Sequence, residues 1–71
     1  MSMNYAYNYA EIDLSTNMCI GFQSRTLEIE NPSANWVLVP VNDPEYIGKY
    51  YINGAWYEDA AGTIPWVSAL L

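Results

Sequence analysis

Acid–base chemistry in this chain would have to run on carboxylates, tyrosines or Lys49, because its 71 residues contain no histidine. The carboxylates nearest in sequence are Glu11 with Asp13 and Glu28 with Glu30. Each pair stands two apart in an alternating run, which puts both members on the solvent face of a strand, the ordinary place for charge. A glycosidase would need two carboxylates across a cleft wider than so short a chain builds. Catalysis is therefore not expected. The single thiol, Cys19, sits between Met18 and Ile20 and reads as a small buried or half-buried side chain rather than a nucleophile. It cannot form an internal disulfide, and Cys19 with carboxylates alone is a poor zinc set. The glycines stand singly, so no phosphate-cradling loop is present. No cofactor or metal is expected.

With chemistry set aside, recognition is the remaining use for the aromatic side chains. The stretch "KYYINGAWYED" holds Tyr50, Tyr51, Trp56 and Tyr57 around Asn53-Gly54. Asn-Gly is the strongest short signal for a two-residue turn with positive φ at both positions. It pairs Ile52 with Ala55, Tyr51 with Trp56, Tyr50 with Tyr57 and Lys49 with Glu58. Of the two faces, Tyr50, Ile52, Ala55 and Tyr57 make the more apolar and are expected to face the core. Tyr51 and Trp56 are then left to solvent or a partner. Three uses stay open for these aromatics: sheet packing, a subunit contact, or a glycan platform.

The elements around this hairpin are strands. Ala10, Ile12 and Leu14 alternate with Tyr9, Glu11 and Asp13, and the alternation continues with Met18, Ile20 and Phe22 on one face, with Ser15 to Asn17 as a turn between them. Leu27 and Ile29 continue an alternation beyond a bend at Gln23-Ser24-Arg25. "NPSAN" is a loop, and "WVLVPV" (Trp36 to Val41) reads as a strand covered on both faces, with Pro40 at an edge or strand end. Asp43, Pro44 and Gly48 frame one helical turn or a pair of β-turns. The expected fold is all-β, a small antiparallel sheet of four to five short strands. Residues 1–59 form the domain, and residues 60–71 a flexible connector and an apolar docking tail.

That tail bears Ile64, Trp66, Val67, Leu70 and Leu71. Together with Tyr51 and Trp56 these are the expected partner-binding residues. Docking of the tail into a neighbouring chain is preferred to self-packing, because an exposed terminal apolar segment is a liability. A chain of this length buries only about 60% of its unfolded surface, so oligomerisation or docking in a larger assembly is the expected extra stabiliser.

Eight acids oppose Lys49 and Arg25, for a net charge of −6. Nucleic acid and anionic membrane are not expected partners for such a chain. The start "MSMNYAYNYA" lacks the charge and apolar run of a secretory leader, and no apolar stretch approaches the roughly 20 residues of a membrane helix.

Taken in order, "YAEIDLSTNMCIGFQS" and "WVLVPVNDPEYIGKYYINGAWYED" resemble small β-rich modules of the structural genes of tailed bacteriophages. The matching positions are Tyr9 to Asp13, Ile47 to Lys49 and Tyr50 to Glu58, within residues 8–59. The segment Leu27 to Glu30, the "NYAYNYA" start and the tail fall outside the likeness. The resemblance implies a virion component assembled in a host cytoplasm, a small tail or tail-fibre-associated protein whose partners are other virion proteins, with no catalytic residues. Capsid decoration, a glycan-binding host contact and an acidic inhibitor of a host enzyme are the alternatives.

Overall fold

The computed structural model describes residues 7–30 and 33–71. Residues 1–6, which include the first three of the "NYAYNYA" start, and Asn31-Pro32 of the expected loop lie outside the described residues. The chain is all-β. Five antiparallel strands, β1 (Tyr7–Asp13), β2 (Met18–Arg25), β3 (Trp36–Val39), β4 (Tyr50–Ile52) and β5 (Ala55–Tyr57), form one open sheet in the order β3-β1-β2-β4-β5.

Local signals set both hairpins. Between β1 and β2 the Asp13 carboxylate accepts from the backbone N–H and hydroxyl of Ser15, and Asn17 closes the turn at φ 66°. Leu14 belongs to this turn and is exposed, not to the strand face expected of it. Between β4 and β5, Asn53 and Gly54 take φ 51° and 82°, the positive pair that a two-residue turn of the right twist requires. The register is as the turn dictates: Tyr50 opposite Tyr57, Tyr51 opposite Trp56, Ile52 opposite Ala55. The ladder stops there, and Glu58 donates its N–H to Ile64 instead of extending a pair with Lys49.

The phase of β2 departs from simple alternation. Glu11 pairs with Gly21 but Ile12 pairs with Cys19, so Ile20 is an extra residue and forms a bulge. The bend expected at Gln23-Ser24-Arg25 thus falls at Ile20. It moves Cys19 into the core and leaves Ile20 half exposed, where unbroken alternation would have placed Met18, Ile20 and Phe22 on one face. Cys19 is buried, its thiol donating to the Gly21 carbonyl. Its backbone also ties β2 to the approach of β4, through Cys19 N–H to Lys49 C=O and Gly48 N–H to Cys19 C=O, each 2.8 Å.

Two crossovers follow from the strand order. To reach β3, the chain leaving β2 must pass β1, so Leu27 and Ile29 cannot pair as a strand of the same sheet. This segment is irregular, Leu27 is exposed, and the Ile29 N–H donates to the hydroxyl of Tyr9 on the opposite sheet face from Ala10. The return from β3 crosses the other face. It holds the 3-10 turn Pro44–Tyr46, capped by Asp43, whose carboxylate accepts from Glu45 N–H; Pro44 fills the first turn and Gly48 exits at φ 94°. Here β3 is an edge strand, with Leu38 half exposed, so it is not covered on both faces.

The core lies under this second crossover. Ala10, Ile12, Cys19, Val39 and Tyr46 are buried together, with Phe22, Val37, Val41, Tyr51, Trp56 and Trp66 packed around them. Tyr46, 2% exposed, is the centre of the cover. Its ring stacks on Phe22 at 5.9 Å and meets Trp56 and Trp66 edge-on at 4.8 and 4.9 Å. Replacing it with alanine removes the shared neighbour of three aromatic rings. Tyr46→Ala should lower unfolding free energy by about 3–5 kcal/mol in urea titrations, whereas Tyr46→Phe, which keeps the ring contacts, should cost far less. Equal losses for the two variants would show that the ring contacts are not what holds the sheet.

Candidate functional site

The hairpin faces are the reverse of those expected. Tyr51 and Trp56, 5.0 Å apart, turn toward the core cluster, while Tyr50, Ile52 and Tyr57 lie on the other face, half buried. The bulge at Ile20 explains part of this, since Cys19 in the core puts its neighbours on β4 in phase with Tyr51. Size explains the rest: Trp and Tyr bury more apolar area than Ala55 and Ile52, and Tyr46 gives them an aromatic partner. The charged ends of that face are accommodated at the margin. Lys49 carries its ammonium 5.1 Å above the Trp66 ring, and Glu58 is exposed. Tyr51 and Trp56 are therefore not an outward pair of flat rings.

The C-terminal residues divide in two. Ala60 to Thr63, expected as a flexible connector, is a turn built on Asp59, whose carboxylate accepts from the N–H groups of Thr63 and Ile64 and the hydroxyl of Thr63. Gly62 at φ 70° brings this turn against the outer hairpin face, where an added Cβ would lie 3.2 Å from Ile52 Cδ1. The chain then runs back along β5. Pro65 bridges Tyr57, flanked by Glu58 N–H to Ile64 C=O (2.8 Å) and Trp66 N–H to Trp56 C=O (3.0 Å). Trp66 packs on its own core instead of waiting for another chain. Ser68 is buried and donates to the carboxylate of the equally buried Asp43. Asp43 thus joins the 3-10 turn to the C-terminal segment.

What remains outside is apolar. Ile64, Val67, Leu70 and Leu71 are each at least half exposed, and Ile47 at the exit of the 3-10 turn is 48% exposed. Of the seven expected partner-binding residues, these four stand at the surface, while Tyr51, Trp56 and Trp66 serve the fold. Ser68 and Asp43, which seat the segment, were not among them. A short polar residue inside "WVSALL" was the available sign, since it has to find a buried partner if the segment packs.

Ionisable groups follow their surroundings. Hydrogen bonds from Ser15 hold the exposed Asp13 carboxyl below its ordinary value of 3.8. Those from Thr63, then Ile64, do the same for Asp59. Burial pushes the Cys19 thiol above 9.0, and burial with the charge of Asp43 pushes the Tyr46 phenol above 10.0. Among the described residues no three of Cys, Asp and Glu gather as a metal set. No family model, curated protein or solved structure matches the chain.

Two outcomes follow. Ser68→Ala strands one carboxylate oxygen of Asp43 in a buried place, so the Trp66 amide should exchange about fivefold faster or more, as a loss of about 1–3 kcal/mol implies. Unchanged exchange would mean that Ser68 does not seat the segment. Stability should also decline at both pH extremes. The depressed Asp13 and Asp59 stabilise fully above pH 3.8 and lose this as pH falls through their folded values. The raised Cys19 and Tyr46 stabilise fully below 9.0 and 10.0, and lose this as pH rises through theirs. Urea midpoints measured against pH test both limbs, and Asp59→Asn should remove the acid step read at the Thr63 amide.

Proposed function

We propose that this chain is a structural assembly module, a small tail or tail-fibre-associated component of a tailed-phage virion that works by protein–protein contact. The observation that carries the contact role is the exposed set Ile64, Val67, Leu70 and Leu71 on a segment that is itself fixed to the domain. A terminus held by a strand bridge and a buried hydrogen bond presents its apolar side chains at defined places, which lowers the ordering cost of docking. The virion assignment draws on the likeness of residues 8–59 to phage modules. The acids are turned to structural use: Asp13 and Asp59 hold turns, and Asp43 caps the 3-10 turn.

The glycan reading rested on Tyr51 and Trp56 lying side by side at the surface, and both pack inward. Capsid decoration keeps the same contact chemistry and differs in copy number. Deleting Ile64 to Leu71 would remove Trp66 from the core, so substitutions at exposed positions are the cleaner test. In purified particles of the encoding phage the chain should be present at a fixed copy number, low for a tail and far higher for a capsid lattice. Val67→Asp with Leu70→Asp should keep the circular dichroism spectrum and lose incorporation. Absence of the chain from particles, or full incorporation of the double variant, would overturn the proposal.

A further inference from the structure

The apolar side chains that the C-terminal segment leaves outside have exposed acids for neighbours. The strand bridge between Tyr57 and Pro65 sets Ile64 opposite Glu58, whose N–H donates to the Ile64 carbonyl at 2.8 Å. Directly opposed residues of an antiparallel pair project on one face, with Cβ atoms about 5 Å apart. Both of these side chains are exposed. Farther along, one buried carboxylate holds a second such pair together. Asp43 accepts the Glu45 N–H at 3.0 Å and the Ser68 hydroxyl, and the Ser68 oxygen accepts the Leu70 N–H at 3.1 Å. Leu70 and Glu45 are both exposed, as is Ile47 two residues on.

No basic residue belongs to this part of the chain. Residues 50–71 contain neither lysine nor arginine. Of the two basic residues, Arg25 ends β2, and Lys49 holds its ammonium 5.1 Å from the centre of the Trp66 ring.

We propose that the partner of this segment is a protein surface whose apolar pocket is rimmed by lysine or arginine. Val67 and Leu70 enter the pocket, and Glu58 and Glu45 meet the rim. The proposal rests on the docking role given to the segment above and adds the partner's chemistry. Interfaces bury their apolar centre and keep charge at the rim, where it selects the partner and speeds encounter more than it adds affinity. A second copy presenting the same segment would bring acids toward acids, a juxtaposition that interfaces avoid. The net charge of −6 adds a longer-ranged attraction toward the same basic partner.

The test uses three probes with the same six-carbon chain: hexylammonium, hexanol and hexanoate. Each is titrated into the full chain at low salt and followed at the methyl signals of Ile64, Val67 and Leu70. Hexylammonium should saturate these shifts at a concentration about threefold or more below hexanol, and hexanoate above it. Glu45→Gln with Glu58→Gln should bring hexylammonium to the hexanol value. Glu28→Gln with Glu30→Gln removes the same charge from exposed positions of the first crossover and should leave the preference intact. Equal affinity for the three probes would mean an uncharged partner and overturns the proposal. So does an equal loss in the two double variants, which would mean that only overall charge is read. In purified particles, Glu45→Lys with Glu58→Lys should keep the circular dichroism spectrum and lose incorporation with Val67 and Leu70 intact. Full incorporation of that variant overturns the basic rim while the docking role stands. Absence of the chain from particles overturns the virion role, and the probe preference still decides the rim.

Discussion

A single small sheet has two faces and no second sheet to cover either, and the burial of Tyr46 solves that problem on the side where the core forms. One ring, carried by a three-residue 3-10 turn, touches Phe22 of β2, Trp56 of β5 and Trp66 of the C-terminal segment. Three parts of the chain far apart in sequence thereby share one neighbour. The aromatic crowding of the hairpin takes its meaning from this. Tyr51 and Trp56 are the half of the hairpin that meets the cover, and on the other face the Asp59 turn partly shelters Ile52 and Tyr57.

The order of the strands makes this cover necessary and supplies it. Because β3 lies beyond β1, the chain must cross the sheet twice, once after β2 and once before β4. One crossing sets Ile29 against Tyr9, and the other sets Tyr46 against Ala10, Ile12 and Cys19. The bulge at Ile20 adjusts the sheet to the cover by presenting a compact thiol where alternation would bring a branched side chain. The C-terminal segment completes the arrangement through the Asp43–Ser68 bond, and its remaining apolar side chains are surplus to the fold. That surplus is the feature on which the proposed contact role rests.

Features governed by a few adjacent residues were legible in the sequence. Asn53-Gly54 fixed the hairpin and its register, Asp43-Pro44 with Gly48 marked the helical turn, and the apolar flanks of Cys19 foretold its burial. Features that depend on distant parts of the chain were not. Alternation carries no record of an extra residue, so the phase of β2 was misjudged; the isolated Gly21 was the only local hint of a bulge. The expectation for the hairpin faces fails for a separate reason, since comparing the apolarity of two faces ignores which one meets Tyr46. Leu27 and Ile29 have strand-like alternation but occupy a crossover, and topology overrides pattern there. The inward place of Trp66 is not legible because nothing nearby in sequence announces the Tyr46 ring that it meets edge-on.

The central claim is that Tyr46 joins the sheet, the hairpin and the C-terminal segment into one cooperative core. Proton–proton contacts in a nuclear Overhauser spectrum test it most directly. Tyr46 ring protons should show cross-peaks to the indole protons of both Trp56 and Trp66, with ring-current shifts to match. A Trp66 indole with random-coil shifts and no contact to Tyr46 would contradict it, leaving the C-terminal segment outside the fold.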